Sequence, residues 1–253
     1  MQNIENNISP IITIIVAVYN GAMTIERCIN SVLNQCYSDF ELIIIDGGST
    51  DGTQEIIQKY GHAINYWVSE PDNGIYDAWN KGLAQASGQW IAFLGVDDIY
   101  LEDALQAYAY YLAKYKNNLL EYVSSQVNLV DGERLIRTIG KPWSWNAFRR
   151  YINVAHVGSL HNKMLFEQYG SYDITYKICA DYEFLLRSRD SLKAGFLDVT
   201  TVSMNIGGVS DSYLALQEAE RAKIISGGRS VMTCRIEKIM AIVSMCMRKW
   251  IWY

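Results

Sequence analysis

The sequence has few of the residues that mark disordered or low-complexity chains. Its 253 residues include only three prolines, and 19% are charged against 50% that are hydrophobic. No internal repeat or low-complexity tract is present. This composition predicts a folded globular protein that is long enough to bury a substantial core.

Sequence features of secreted, zinc-binding and nucleic-acid-binding proteins are also missing. The five cysteines form no Cys-x-x-Cys pair and have no zinc-like spacing with the three histidines. Their odd number favours reduced thiols, and "MQNIENNISP" lacks a signal-peptide pattern, so we expect a cytoplasmic protein. The net charge of -5 argues against binding nucleic acid through phosphate contacts.

Two common nucleotide-binding signatures are absent as well. The glycines of "IDGGSTDGT" have the wrong spacing for a dinucleotide site, and no Walker loop with Gly-Lys-Ser/Thr occurs, so a dinucleotide oxidoreductase is excluded. Two interpretations of this stretch remain. It is either an ordinary turn in which Asp51 caps the next helix, or a ligand site with Asp46 at a ribose or base and glycines that let the ligand approach.

What is present is an alternation of apolar strands and amphipathic helices. "IITIIVAV", "ELIII", "INYWV" and "WIAFL" predict strands, and helical stripes lie between them. This order predicts a parallel α/β sheet with right-handed crossovers. Ligands bind such sheets beyond the carboxyl ends of the strands, where Tyr19, Asp46, Asp97 and Asp98 are expected.

The second half of the chain has a less regular pattern. We predict strands at "EYVSSQVNLV" and "AGFLDVTTVSM", a short helix entered from the loop in "KPWSWNAFRR", and a helix at "CADYEFLLRSR". A glycine-broken loop, "NIGGVSDS", follows the last strand.

Three acidic residues are candidates for chemistry. The pair Asp97 and Asp98 at a strand end suits a hard divalent cation, although capping of the next helix would also explain it. Asp181 is either a general base or an ordinary acid in the first turn of a helix. We interpret His161 as a packed residue, and His156 and Trp143 as candidates for lining an acceptor site.

Several segments together resemble one family. "IIVAVYNGAMTIERCINSVLNQ", "FELIIIDGGSTDGT", "SEPDNGIYDAWNKGLAQASGQWIAFLGVDD" and "ADYEFLLR" resemble the family 2 inverting glycosyltransferases, especially bacterial enzymes that build O-antigen, capsule or other exopolysaccharide. The resemblance implies a GT-A fold, with a Rossmann-like, mostly parallel central sheet flanked by helices. It spans roughly residues 11–210, in a domain of residues 1–210 with a nucleotide-binding half (about 11–98) and an acceptor half (about 99–210).

The resemblance also implies roles at the donor site. Tyr19 would meet the uracil beside the Ala17 backbone, and Asp46 would meet the uridine, although Gly47 replaces a second aspartate that many relatives have. The residues expected to line the donor site or approach the diphosphate are Glu70, Asp72, Asn80 and Lys81.

A metal and a general base follow from the same resemblance. The family's Asp-x-Asp motif corresponds to Gly95-Val96-Asp97, so its first acid is missing. Mn²⁺ or Mg²⁺ is expected at Asp97, with Asp98 or water completing the shell. Asp181 matches the catalytic base, and the stretch beginning at Gly207 and Gly208 resembles a mobile loop over the donor. The absence of Gln-x-x-Arg-Trp favours addition of a single sugar.

The implied reaction moves one hexose, glucose or galactose, from a UDP-sugar to a hydroxyl of an undecaprenyl-diphosphate-linked saccharide. It would take place on the cytoplasmic face of a bacterial inner membrane, in the synthesis of lipopolysaccharide or another surface polysaccharide. The alternative is a catalytically silent module that binds a sugar nucleotide.

The last segment, residues 211–253, is expected to be helical. From residue 229 onward it carries five basic residues and one acid, Glu237, and its uncharged run is too short for a bilayer. Two interpretations stay open, a basic amphipathic helix lying on an anionic membrane or a helix packed on the domain.

Overall fold

The computed structural model of the protein describes residues 11–207 and 212–251, which form a nine-stranded sheet with helices on both faces. The strands are β1 (Ile12–Val18), β2 (Phe40–Asp46), β3 (Tyr66–Ser69), β4 (Trp90–Gly95), β5 (Ile99–Tyr100), β6 (Tyr122–Asp131), β7 (Arg134–Ile139), β8 (Ser159–Asn162) and β9 (Ala194–Asn205). The helices are α1 (Ile25–Leu33), α2 (Thr53–Lys59), α3 (Ile75–Gln85), α4 (Ala104–Lys114), α5 (Trp145–Phe148), α6 (Lys163–Tyr169), α7 (Ala180–Arg187), α8 (Tyr213–Ile225) and α9 (Val231–Ile251).

The sheet has two halves of different character. Its strand order is β3-β2-β1-β4-β8-β6-β9-β5, with β7 paired to β6. Strands β1 to β4 are all parallel, and Val18 pairs with Asp46, so their carboxyl ends meet at one edge. Beyond β4 the sheet is mixed, because β8 runs antiparallel to both β4 and β6. The predicted α/β fold with a central sheet is therefore confirmed, and its parallel part is the first half.

The parallel strands form where β-branched residues run without interruption. Every residue of β1 is buried, as are all but the first of β2, because helices cover both faces of the sheet. On one face α1 and α4 pack against these strands, and on the other face α3, α6 and α7 do. Burying a large aliphatic side chain stabilises the fold by about 1.5–3 kcal/mol. The many buried side chains of these strands therefore hold in place the sheet edge where the site lies.

Strand β8 was not predicted, because its four residues, "SLHN", carry no alternating apolar pattern. All four residues are nevertheless buried between β4 and β6. Tertiary context decided this strand, as it often does for short polar segments.

The two C-terminal helices continue the fold beyond the predicted boundary near residue 210. Helix α8 packs against α7, and α9 packs against α8. Across 11–207 and 212–251, no helix combines the length and apolarity needed to cross a membrane.

Candidate active site

A cleft opens where the parallel strands end. It has a volume of about 290 Å³, close to the lower end of the range for small-molecule pockets. The residues lining it come from the ends of β1 and β4, the loops that follow them, the loop before α3 and the start of α3. They are Ala17, Val18, Tyr19, Asp72, Gly74, Ile75, Ala78, Gly95, Val96 and Asp97. Four predicted donor-site residues, Ala17, Tyr19, Asp72 and Asp97, are thus brought together.

The turn after β2 holds the loop after β1. The Ser49 hydroxyl accepts a hydrogen bond from the Asn20 amide at 2.7 Å, and the Thr53 hydroxyl accepts one from the Gly21 amide at 2.9 Å. The carboxylate of Asp51 accepts the next amide of the loop at 3.0 Å. The polar residues of "GGSTDGT" therefore shape the neighbouring loop.

Asp46 corrects one expectation. Its side chain is fully buried, and its carboxylate accepts hydrogen bonds from the Ser49 amide at 3.0 Å and from the Ser49 and Ser69 hydroxyls. It organises the turn and ties it to β3, so it does not face the cleft as the predicted uridine contact. Tyr19, in contrast, is 66% exposed at the end of β1 and is free to contact a flat ring.

The space beside Gly47 is taken by another carboxylate. A Cβ atom at position 47 would lie 2.5 Å from Oδ2 of Asp72 and 3.4 Å from the Tyr19 ring. Oδ1 of Asp72 accepts a hydrogen bond from the Gly74 amide at 2.8 Å, which orients the side chain. Asp72 therefore stands next to Tyr19, where a side chain at position 47 would otherwise lie.

The two predicted diphosphate contacts, Asn80 and Lys81, are hydrogen-bonded within the protein, and their role at the diphosphate stays a prediction. Lys81 Nζ lies 2.8 Å from a carboxylate oxygen of Glu70 and donates to the Pro71 carbonyl at 2.9 Å. Asn80 exchanges two hydrogen bonds with the Tyr172 backbone, at 2.9 and 3.0 Å. The side chains that line the cleft do not include those of Lys81, Glu70 and Asn80. Lys81 and Glu70 fasten the loop after β3 to α3, and Asn80 fastens α3 to the segment before α7.

The two acids after β4 point in different directions. Asp97 is exposed at the cleft, whereas Asp98 is 5% exposed and accepts a hydrogen bond from the Gly95 amide. Burial, and then the charge of Asp97, raise the pKa of Asp98 to about 8. Asp98 is thus turned away from the cleft, so a metal shell at Asp97 would be completed by water, the other option that the sequence left open. Among the described residues, no cluster of three His, Cys, Asp or Glu side chains that could hold an ion is formed.

Asp181 lies in the first turn of α7, partly exposed, beside the start of α3. The Tyr76 hydroxyl lies 2.9 Å from Oδ1 of Asp181 and 2.6 Å from the Ile178 carbonyl. Burial raises the pKa of Asp181, whereas hydrogen bonds from Tyr76 and from backbone amides lower it. The first turn of α3 also lines the cleft, so the Asp181 carboxylate lies next to an element that borders the cleft without being among the residues that line it.

Tyr76 was missed by the sequence reasoning. It follows Ile75 in the α3 pattern, and nothing local distinguishes it from a core tyrosine. Its partner Asp181 is 105 positions away in the chain, so only the fold brings them together.

The proposed acceptor residues lie among aromatic side chains. The His156 ring stacks on Phe93 at 5.4 Å and contacts Trp79 at 4.9 Å, while Trp143 packs on Phe148 at 4.4 Å. Burial lowers the pKa of His156 to about 3, so the ring is neutral at physiological pH. Within the described part of the chain, neither of its ring nitrogens has a hydrogen-bond partner.

The remaining predictions concern His161 and the glycine loop. His161 is fully buried, as expected for a packed residue, and burial lowers its pKa well below the usual value. Gly207 has a φ of +99°, which a glycine adopts without strain. Gly208 lies outside the described residues, so the loop remains a prediction.

A cleft at the carboxyl ends of parallel strands is where α/β sheets bind ligands, and comparison with known proteins identifies the family. The pattern described as Glycosyl transferase family 2 matches residues 13–184, and the chain belongs to this family. A PGL/p-HBAD biosynthesis glycosyltransferase of Mycobacterium bovis is 30% identical over 219 residues, covering 81% of each chain. An uncharacterized glycosyltransferase of Rickettsia typhi is 25% identical, covering 93% of this chain and 76% of that one. The protein is therefore a glycosyltransferase.

Solved structures agree on the fold. Staphylococcus aureus TarS in complex with UDP-GlcNAc superposes with a TM-score of 0.69 at 16% identity, covering 91% of this chain and 71% of that chain. A Pyrobaculum calidifontis mannosyltransferase in complex with GDP-Man and Mn²⁺ gives 0.66 at 16% identity, covering 95% and 76%. The predicted GT-A fold is confirmed.

Proposed function

We propose that the protein is an inverting glycosyltransferase that moves one hexose, glucose or galactose, from a UDP-sugar to an acceptor hydroxyl. One observation carries the proposal. The first turn of α3 lines the donor cleft through Gly74 and Ile75, and its next residue, Tyr76, holds the carboxylate of Asp181. The first turn of α3 thus joins the donor cleft to the proposed base, so the two lie next to each other in the fold.

Recognition of the uracil would fall to Tyr19 and Asp72. The exposed Tyr19 ring offers a face for stacking, and the Asp72 carboxylate beside it can accept a hydrogen bond from the uracil N3–H. The diphosphate would then lie toward the first turn of α3, because the N-terminus of a helix favours negative charge.

The metal expectation fits Asp97 in part. Asp97 supplies one exposed carboxylate at the cleft, so a hard cation would need its other ligands from diphosphate oxygens and water, which suits Mg²⁺ or Mn²⁺. When bound, such an ion neutralises charge on the leaving diphosphate.

In the proposed reaction Asp181 accepts the proton of the acceptor hydroxyl. The hydroxyl oxygen forms a bond to the anomeric carbon from the face opposite UDP, while the bond from this carbon to the UDP oxygen breaks. UDP leaves with the electron pair, and an α-linked donor gives a β-linked product. Burial makes Asp181 a stronger base, and Tyr76 keeps its ionised form in place.

We further propose that the acceptor is an undecaprenyl-diphosphate-linked saccharide, met at the cytoplasmic face of the bacterial inner membrane. The outward face of α9 supports peripheral contact with an anionic bilayer. This face carries Met232, Ile236, Ile239, Met240, Val243 and Met247, each at least half exposed. Glu237, the acid of this helix, points inward and pairs with Arg229 at 2.6 Å and Lys223 at 3.4 Å.

The alternative, a silent module that binds a sugar nucleotide, rests on Gly95. This residue stands where the family's first metal-binding acid would be, and a Cβ there would lie 2.7 Å from Oδ2 of Asp98. The site is therefore built without that acid.

The test is UDP release across a panel of UDP-sugars with Mn²⁺, Mg²⁺ or chelator, with saccharide-lipid extract as acceptor and Asp97→Ala for comparison. We expect one donor to turn over with metal and the variant to lose that turnover. UDP binding without turnover in every condition would favour the silent module. No UDP binding would contradict the assignment of the cleft.

A further inference from the structure

The segment before α7 is held by a carboxylate from the C-terminal part of the chain. The backbone amides of Lys177, Ile178 and Cys179 all donate to the side chain of Glu218, at 2.7, 2.8 and 3.0 Å. Glu218 lies on α8 and is 7% exposed. One buried acid therefore satisfies three consecutive amides immediately ahead of the helix that carries Asp181.

We propose that Glu218 is the residue that positions the Asp181 carboxylate for proton transfer. Hydrogen bonds from amides to a carboxylate are roughly twice as strong as those between neutral groups, and three of them fix both the position and the direction of the segment. Asp181 follows this segment after a single residue, Ala180. The proposal rests on the role of Asp181 as the general base.

The same segment is tied on its other side to the donor half. The Tyr76 hydroxyl, whose single proton is shared between the Ile178 carbonyl and Asp181, lies 2.6 Å from that carbonyl, and Lys177 Nζ donates to the Asn73 carbonyl at 2.8 Å. Residues 177–179 are thus attached on one side to the start of α3, which lines the cleft, and on the other side to α8. Removing the α8 attachment would leave the amides of a half-buried segment without their partner and let the carboxylate shift.

The family match does not account for this contact. It ends at residue 184, whereas Glu218 lies 34 positions further along the chain. The predicted division near residue 210 also placed Glu218 in a separate segment. In the structure α8 serves the active site, and Ser226 at its end reinforces it by bonding Glu183 of α7.

The charge of Glu218 gives a readout that a merely structural residue would not have. Of the titratable groups around Asp181, Tyr76 contacts its carboxylate, and Tyr122, Tyr172, Cys179 and Glu218 lie within electrostatic reach of it. Of these, Glu218 contributes a negative charge, which together with burial raises the pKa of Asp181. Neutralising Glu218 should therefore move the acid limb of the pH profile of kcat/KM toward lower pH.

The experiment compares Glu218→Gln and Glu218→Asp with the matched control Glu220→Gln. Glu220 is on the same helix but pairs with Lys238 of α9, away from Asp181. We expect Glu218→Gln to lower kcat about 10- to 100-fold, because misplacing a catalytic group by about 1 Å costs about that much. The KM for the donor should be unchanged, and the acid limb of the pH profile of kcat/KM should move to lower pH. Glu218→Asp keeps the charge but not the reach, so kcat should fall while the limb stays in place. Glu220→Gln should match the native protein.

Several results would overturn the proposal. One is a native kcat and pH profile for Glu218→Gln; another is an equal loss in Glu220→Gln. A loss of UDP affinity that accounts for the whole effect would also overturn it. If Glu218→Gln fails to fold, a native kcat for Glu218→Asp would do the same. Asp181→Asn tests the base assignment separately from the role of Glu218. Full transfer by that variant would contradict the base assignment itself, whatever Glu218 does.

Discussion

The donor cleft and the segment that carries the proposed base are built in different ways; we call the strand-end edge that lines the cleft the donor wall, and residues 177–181 beside it the base wall. On the donor wall, the turn after β2 is hydrogen-bonded to the loop after β1. The hydroxyls of Ser49 and Thr53 accept hydrogen bonds from backbone amides about 30 positions away in the chain. On the base wall, Asp181 and the segment before it are held by Tyr76 and Glu218, which are 105 and about 40 positions distant. The donor wall is a rigid edge of the sheet, whereas the base wall is held through side chains of two helices, α3 and α8.

This difference separates binding from catalysis. Polar groups of the donor edge such as Asp46 are already satisfied within the protein, so we expect substrate recognition there to depend on Tyr19, Asp72 and Asp97, which line the cleft. The base wall presents one reactive group whose position depends on remote contacts. We therefore expect substitutions on the donor wall to change affinity and those on the base wall to change kcat.

The largest effect is expected for Asp181→Asn. An amide cannot accept the acceptor proton as a carboxylate does, and loss of a general base lowers rates about 10²- to 10⁴-fold. UDP affinity, measured by calorimetry, should stay at the native value because the donor wall is untouched. A parallel loss of UDP affinity would show that the two walls are not separable.

A smaller effect, on affinity alone, is expected for Gly47→Ala. The new Cβ would lie 2.5 Å from Oδ2 of Asp72 and would push this carboxylate away from the Tyr19 ring. Loss of one charge-assisted hydrogen bond should weaken UDP binding about tenfold, with kcat at saturation unchanged.

The control for Gly47→Ala is the same change in an Asp72→Asn background. If Asp72 mediates the effect, the second substitution should add little to the first. Full additivity would show that Gly47 and Asp72 act independently.

Tyr76→Phe should act in the opposite direction to Glu218→Gln on the pH profile. The lost hydroxyl stabilises the ionised form of Asp181, so its removal raises the pKa of that carboxyl. The base must be ionised to work, and the acid limb of kcat/KM should move to higher pH, with a fall in kcat of only a few-fold. An acid limb that moves to lower pH, or does not move, would show that Tyr76 does not stabilise the ionised form of Asp181.

The smallest effect on catalysis is expected on α9, which belongs to neither wall. Paired substitutions Ile236→Glu and Met240→Glu should abolish flotation with anionic vesicles, while UDP release with a detached, soluble saccharide acceptor stays native. Met164→Glu, at a 66% exposed methionine of α6, is the matched control and should float as the native protein does. Equal flotation of the double variant would rule out this surface.

The donor wall was largely predictable, because strand periodicity fixes where parallel strands end. This logic placed Tyr19 and Asp97 at the cleft. The same logic put Asp46 and Asp98 at this edge, but both side chains are buried and accept hydrogen bonds from within the protein. A strand-end position shows which edge a residue occupies, but hydrogen bonds formed on folding decide which way its side chain points.

The base wall could not be derived from local patterns. Tyr76 is indistinguishable from a core residue in its helix, and Glu218 lies in a helix with little amphipathic pattern. Their roles depend on long-range contacts that no spacing encodes. Asp181 itself was identified through family resemblance, and its role stays a prediction until it is tested.

The most direct test of the central claim is the anomeric configuration of the first product formed from the α-linked UDP-sugar that turns over, read by proton NMR. A single displacement with Asp181 as base predicts a β-glycoside, formed by the native protein and not by Asp181→Asn. An α-glycoside would contradict direct attack opposite UDP, and with it the role of Asp181 as the base for that attack.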